Sequence, residues 1–138
     1  MKWKNHQFGE FEFDDDHVLT FPEGIIGFEE CRRFVLVNDE DSRPFHWLVS
    51  VEEEGLSFPL IDPRLLIPEY ATEFGAKEDS TVLVVATIKE DVERSTVNLR
   101  SPVVISNVLR TGKQVIIDSD SFAMEYPLFP STHQSVKG

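Results

Sequence analysis

Cysteine is nearly absent from this sequence: Cys31 is the only one among 138 residues. An intramolecular disulfide is therefore excluded, which fits a reducing compartment. The first six residues (MKWKNH) lack the apolar core of a signal peptide. The longest apolar run, residues 82–88 (VLVVATI), is far too short to span a bilayer. We therefore expect a soluble protein of the cytoplasm.

Basic residues are also scarce, because 13 Lys and Arg stand against 25 Asp and Glu, which gives a net charge of −12. The charge is uneven: residues 1–69 carry −10 and residues 70–138 carry −2. A field of this sign repels phosphates and anionic lipids, so we expect no direct binding to nucleic acid or to membranes. The same field would attract a basic protein. Acidity that serves only solubility is the alternative.

Motifs that carry catalysis or bind metals are missing. The four histidines (His6, His17, His46 and His133) do not have zinc-ligand spacing, and there is no cysteine pair. Residues 14–17 (DDDH) lack the ligand spacing and the glycine of an EF-hand loop, so they predict a solvated turn between two strands. There is no G-x-S-x-G elbow, P-loop or dinucleotide fingerprint. We expect no catalytic residue, cofactor or metal. The alternative is a small β-barrel enzyme or ligand-binding module with a carboxylate-lined pocket.

Short β-like runs separated by turn signals fill the chain, and helix signals are weak. The runs are residues 8–13, 34–37, 45–51, 56–61, 82–88, 96–99, 103–105 and 114–117. Pro59 favours a sheet edge or a bulge, and Pro102 must interrupt a ladder because proline has no N–H. Residues 27–33 and 64–74 could form short helices. The pattern predicts a mainly β fold, an antiparallel β-barrel-like or sandwich domain with one or two short helices. We expect one domain over residues 1–130 and a flexible tail over residues 131–138.

Residues 19–31 (LTFPEGIIGFEEC) contain an unusual turn. A turn that only reverses the chain is normally polar, yet Ile25, Ile26 and Phe28 lie between glycines and acidic residues. The composition suits a protein contact with an apolar anchor and a charged rim. The alternative is that these side chains fold inward and close one end of a barrel. The G-x-x-G pattern of an RNA-clamping loop does not fit, because no Lys or Arg lies inside it.

The chain resembles the FliW family of flagellar assembly factors in stretches that follow one another over residues 8–118. They are residues 8–10 (FGE), 19–28 (LTFPEGIIGF), 34–37 (FVLV), 45–51 (FHWLVSV), 61–63 (IDP), 96–105 (TVNLRSPVVI) and 112–118 (GKQVIID). Each stretch alone is weak, and their order and spacing carry the resemblance. Arg100 stands where the family is associated with an apolar residue.

The resemblance implies a small β-barrel-like fold and a non-enzymatic regulator. Members of this family bind CsrA, a small basic RNA-binding protein that represses flagellin translation, and they also bind newly made flagellin. Flagellin that accumulates would occupy the factor, free CsrA and stop translation, which is a partner-switching feedback loop. We expect a monomer that binds a CsrA dimer. Whether CsrA and flagellin share one site stays open, as does whether the factor competes with RNA.

Candidate contact residues come from the acidic loops and from the turns that match the family. Seven carboxylates are assigned to charge complementarity with CsrA: Glu23, Asp39, Glu40, Asp41, Glu52, Glu53 and Glu54. Three further residues are placed near the contact: Ile25, Phe28 and Asp62.

Overall fold

The computed structural model describes residues 2–5, 9–38, 40–68, 70, 80–118 and 121–129. This part of the chain forms eleven strands. They are β1 (Lys2–Asn5), β2 (Gly9–Glu12), β3 (Val18–Thr20), β4 (Arg33–Asn38), β5 (His46–Ser50), β6 (Ser57–Ile61), β7 (Ser80–Thr87), β8 (Thr96–Val97), β9 (Val103–Ser106), β10 (Thr111–Gln114) and β11 (Tyr126–Pro127). The mainly β prediction is therefore confirmed.

Helical structure in the described residues is limited to four 3₁₀ turns, at Asp15–His17, Glu40–Ser42, Pro63–Leu65 and Val92–Arg94. The first of these confirms the solvated turn predicted for residues 14–17, and it connects β2 to β3. The short helix predicted over residues 27–33 is wrong, because Gly27 has a φ of 91°, outside helical geometry. Of the other predicted helix, residues 64–74, the turn at Pro63–Leu65 is described, and residues 71–79 lie outside the described residues.

Seven strands close into a barrel in the order β3, β4, β5, β6, β7, β9, β10 and back to β3. All neighbours in this ring are antiparallel except β3 and β10, which pair in parallel at Thr20 and Thr111. An odd number of strands cannot alternate in direction all the way around, so one parallel pair is required. The barrel alternative is confirmed over the sandwich.

The predicted apolar strand at residues 82–88 is the centre of the fold. It forms β7, which pairs with β6, with β9 and, through Ala86 and Thr87, with β8. Strand β11 extends the sheet beyond β8, and β1 and β2 form a separate two-stranded sheet. Both faces of β7 are covered, because Leu83 belongs to one apolar cluster and Val84 and Ala86 to another, which explains why β7 has a continuous apolar run rather than alternation.

Apolar side chains fill the barrel and cover its outside in two places. The interior cluster contains Leu19, Phe21, Ile25, Phe34, Leu48, Leu60, Leu83, Val103 and Ile105. A second cluster outside β7 contains Ile61, Tyr70, Val84, Ala86, Val97, Leu99 and Leu128. A third joins Phe13, Val18 and Val35. Successive residues of β7 therefore alternate between the interior and the second cluster, as the two-residue period of a strand requires.

Proline positions decide where the ladders stop. The pairing of β6 with β7 consists of Leu60 with Val85 and Ile61 with Val84, and it ends beside Pro59, which has no N–H to continue it. The first half of β6 is therefore paired with β5 alone in the described structure, as the prediction of a local edge required. Strand β9 likewise begins only after Pro102.

The strand predicted at residues 114–117 lies earlier in the chain than expected. The turn that follows β9 occupies residues 107–110 and ends at Arg110, which has a φ of 55°. Strand β10 follows it directly, at Thr111–Gln114. Beyond β10, the amides of Val115 and Ile117 donate to the carbonyl oxygens of Pro102 and Arg100 at 2.9 and 2.8 Å. Pro102 cannot donate in return, so a full ladder does not form there.

Candidate functional site

The glycine-containing loop of residues 22–31 closes one end of the barrel. Ile25 is only 3% exposed and belongs to the interior cluster, whereas Ile26 is 51% and Phe28 is 43% exposed. The two interpretations of this turn therefore apply to different side chains. Ile25 folds inward and closes the end of the barrel, whereas Ile26 and Phe28 face outward, where a partner could contact them. Ile25 itself exposes almost no surface to a partner in this conformation.

Two glycines give the loop its shape. Gly24 and Gly27 have φ angles of 69° and 91°, in the left-handed region that disfavours other residues. A Cβ at Gly24 would lie 2.6 Å from the Cα of Glu29, so the two backbone segments are in direct contact. The amide of Gly27 donates to Glu29 Oε2 at 3.1 Å, and this bond holds the pKa of the Glu29 carboxyl below its usual value. The amide of Ile26 donates to Gln114 Oε1 at 2.9 Å, which ties the loop to β10.

An acidic rim, defined as Glu29, Glu30, Glu52, Glu53 and Glu54, lies beside this loop, and all five residues are exposed. Glu52 Oε1 accepts hydrogen bonds from the amides of Arg32 and Arg33 at 2.7 and 3.1 Å, and it joins the β5–β6 turn to the end of the loop.

The carboxylates of this rim affect the pKa of the Cys31 thiol. Its pKa is raised mainly by burial, opposed by a hydrogen bond with Ser50, and raised further by the charges of Glu53, Glu52 and Glu30. Carboxylates from two separate segments therefore converge around one half-buried thiol.

Phe28 provides a fixed apolar side chain next to the acidic rim. Its ring packs edge-to-face against Phe58 with centroids 5.2 Å apart, and Phe58 in turn lies 6.2 Å from the buried ring of Phe34. An exposed aromatic ring that is held against the core presents apolar area without a large loss of side-chain entropy on binding.

The same end of the barrel opens into a groove of about 630 Å³, which we call the barrel mouth; its lining includes Ile26, Phe58, Val85, Thr87, Ile116 and Met124. Leu83 and Val85 contact the interior cluster, and Thr87 continues this inward-facing row of β7 into the groove. Ile25 also lines the groove, so the mouth lies over the closed end of the barrel, beside the point where the β6–β7 ladder ends.

Comparison with known proteins identifies the family. A sequence model of the FliW protein matches residues 2–128. A flagellar assembly factor FliW of Natranaerobius thermophilus is 35% identical over 149 residues, covering 100% of this chain and 99% of the relative. The chain belongs to the FliW family. A second FliW, from Thermosipho africanus, is 36% identical over 139 residues, covering 93% of this chain and 95% of its own. The crystal structure of a flagellar assembly factor FliW superposes with a TM-score of 0.84 at 31% identity, covering 94% of this chain and 98% of the other.

Seven of the predicted contact residues fall into two groups at opposite ends of β5. Glu52, Glu53, Glu54 and Phe28 lie near the Ser50 end, while Glu40, Asp41 and Asp62 lie near the His46 end. Four steps of about 3.3 Å along a strand separate the ends by about 13 Å. Asp39 lies outside the described residues.

The members of the second group have local partners. Glu40 pairs with Arg43 at 3.7 Å on the exposed surface. Asp62 accepts from the amide of Arg64 and from its guanidinium, both at 2.9 Å, and these bonds outweigh partial burial in lowering the Asp62 pKa. Asp62 therefore caps the 3₁₀ turn at Pro63–Leu65.

Glu23 is exposed but belongs to neither group. It borders a small hollow of about 330 Å³ that also contains Lys113 and Gly112.

Among the described residues, the alternative of a carboxylate-lined pocket is matched best by a hollow of about 340 Å³ that Glu40, Asp62 and His46 line. Both of its carboxylates are already paired with arginines, Glu40 with Arg43 and Asp62 with Arg64. Glu125 is the one carboxylate that lines the barrel mouth, where it accompanies Lys89 and Arg100. In the described part of the chain, no group of three His, Cys, Asp or Glu residues could hold a metal ion, and no helix is long and apolar enough to cross a membrane.

Sequence reasoning missed the barrel mouth altogether. Its lining comes from segments that are far apart in the chain, among them β6, β7 and the stretches around Ile116 and Met124. The sequence holds no signal for this groove. Its clearest mark is that two apolar residues are exposed, Ile116 at 67% and Met124 at 57%, and exposure becomes visible only in the folded chain.

Proposed function

We propose that this FliW-family protein is a cytoplasmic, non-enzymatic regulator of flagellar assembly that binds and antagonises CsrA and is occupied in turn by flagellin. The observation that carries the CsrA part is the acidic rim. Its five exposed carboxylates lie in the loop that carries Phe28 and in the β5–β6 turn, which Glu52 joins to the end of that loop. Phe28 itself is partly exposed and is anchored against Phe58. Charge that steers a basic partner, combined with an apolar side chain that is buried on contact, is the composition of a specific protein interface.

Glu30, Glu53 and Glu54 are the carboxylates of the rim best suited to a partner. Glu52 already accepts two backbone hydrogen bonds, and Glu29 accepts one from Gly27. These two carboxylates are therefore partly satisfied within the chain. Glu40, Asp41 and Asp62 at the far end would belong to the same contact only if the partner reaches along the whole of β5. Asp39 and Glu23 stay in the proposal as flanking charges.

The regulatory logic follows from mutual exclusion. CsrA held by this protein would leave the flagellin message free for translation, and flagellin that accumulates would displace CsrA. The protein would thus control an RNA event without touching RNA. We expect a monomer, and two copies would bind a symmetric CsrA dimer through equivalent contacts.

Charge reversal of the rim tests the proposal. The variant Glu53→Lys/Glu54→Lys leaves Glu52 and its backbone bonds in place. We expect the association rate with CsrA to fall about tenfold or more at low salt, with a smaller difference at high salt, because steering is screened by ions.

Two matched variants interpret the result. Asp15→Lys/Asp16→Lys changes the net charge equally at an exposed turn away from the rim and should have a small effect. Glu40→Lys/Asp41→Lys reports whether the far end takes part. A rim variant that binds CsrA with an unchanged rate and salt dependence would remove the rim from the proposal.

A further inference from the structure

The barrel mouth combines depth with an apolar border. Thr87 and Val85 form one wall, and Phe58 faces them across the interrupted β6–β7 ladder. Ile26, Ile116 and Met124 contribute side chains that are 51%, 67% and 57% exposed. Three large apolar side chains from separate segments around one groove are more than the isolated exposed residues of an ordinary surface. Methionine also adapts to irregular partners.

The charge of the mouth is opposite to that of the chain as a whole. Lys89 and Arg100 line it together with one carboxylate, Glu125, in a protein with a net charge of −12. Arg100 is held in place, because its Nε donates to the Phe122 carbonyl at 2.9 Å and its amide donates to Asn98 Oδ1 at 3.0 Å. The mouth therefore has a fixed positive charge next to apolar side chains. It complements a ligand that carries a negative charge next to apolar groups of its own.

We propose that the barrel mouth is a second protein-binding site, separate from the acidic rim, which takes an apolar segment of a partner that carries a carboxylate near Lys89 and Arg100. The acidic rim and the mouth select for partners of opposite charge, so a basic protein on the rim does not provide the mouth's occupant. This assignment rests on the proposed function in one respect: with CsrA on the rim, the partner that enters the mouth is flagellin. Exchange between the two would then be a coupling between neighbouring sites, which must be reciprocal.

Variants of exposed residues test the mouth without disturbing the core. Ile116→Ser/Met124→Ser removes apolar area from its border, and Lys89→Glu reverses an exposed charge. The controls are Val108→Ser/Leu109→Ser, a turn in which both side chains are 72% exposed, and Lys113→Glu, an exposed cation outside the mouth. Calorimetric titration with purified flagellin and with CsrA gives the affinity of each variant.

The expected result is selective. Both mouth variants should bind flagellin at least tenfold more weakly than the unmodified protein and should bind CsrA within twofold of it, while the controls change neither affinity. Mouth variants that keep the full flagellin affinity, or that lose CsrA to the same degree, would overturn the assignment.

A second measurement separates this inference from the proposed function. A nine-residue peptide that alternates leucine with glutamate is titrated into the isotopically labelled protein, and a leucine–lysine peptide serves as control. Amide shifts at Val85, Thr87 and Ile116 with the glutamate peptide alone would support the mouth site, even if the protein bound neither CsrA nor flagellin and the proposed function failed. No shift at these positions, or equal shifts with both peptides, would refute it.

Discussion

Replacing Gly24 by alanine tests the backbone geometry that presents Phe28 and Ile26. The residue has a φ of 69°, and a side chain in this left-handed region costs about 1–2 kcal/mol. The new Cβ would also lie 2.6 Å from Cα, 2.8 Å from the carbonyl carbon and 2.8 Å from the carbonyl oxygen of Glu29. These are backbone atoms, which cannot rotate away as a side chain would. Overpacking of this kind adds about 1–3 kcal/mol, so we expect Gly24→Ala to lower the free energy of unfolding by about 2–5 kcal/mol.

Gly27→Ala is the matched control in the same loop. Its φ is 91°, but a Cβ there would meet nothing within 4 Å. Only the backbone cost of about 1–2 kcal/mol applies. Urea unfolding followed by tryptophan fluorescence gives both values, with the slope of the transition as a check that the unfolded states are alike. Equal losses for the two variants, or a Gly24→Ala protein as stable as the unmodified one, would refute the close contact between Gly24 and Glu29.

Three further predictions concern titratable groups. The buried Tyr70 hydroxyl donates to the Leu99 carbonyl, so Tyr70→Phe should lower the free energy of unfolding by about 1–2 kcal/mol. Burial raises the pKa of Tyr70 from 10 to about 12, so the stability of the unmodified protein should fall as the pH rises from 10 toward 12. Urea unfolding at a series of pH values should show a smaller loss of stability for the variant over that range. The pKa of Asp62 is lowered chiefly by its bond to Arg64, so its contribution is present above the unfolded pKa of 3.8 and is lost as the pH falls below it; Asp62→Asn should flatten that acid limb, and an unchanged limb would contradict the assignment. The pKa of Cys31 is raised mainly by burial and further by the charge of Glu53. A thiol reagent at pH 8 should therefore react more slowly with Cys31 than with an unfolded control, and somewhat faster with Cys31 in Glu53→Gln; reaction at the control rate would place the thiol outside this environment.

The strands with the strongest local signals were predictable from the sequence. The apolar run of β7 and the proline breaks beside β6 and β9 express constraints that act within a few residues, and the structure confirms them. The closure of the barrel depends instead on pairing between β3 and β10, which are about ninety residues apart. Nothing in either strand specifies that partner. The odd strand count requires a parallel pair in the ring, but it does not say which two strands form it.

The acidic rim was predicted in part, because Glu52, Glu53 and Glu54 are consecutive and any turn exposes them. The sequence did not predict which of the two isoleucines in the loop is buried and which is exposed. Ile25 and Ile26 are neighbours with the same side chain, and their opposite orientations depend on the positive φ angles on either side and on the bond from Ile26 to Gln114. That partner lies 88 residues away in the chain.

The most direct test of the central claim is a calorimetric titration of this protein into CsrA from the same source at low and high salt, repeated with flagellin already bound. We predict saturable binding that weakens with salt, that is reduced in the Glu53→Lys/Glu54→Lys variant, and that is abolished by flagellin. CsrA binding that is insensitive to salt and to the rim variant, or that persists unchanged with flagellin bound, would contradict the account.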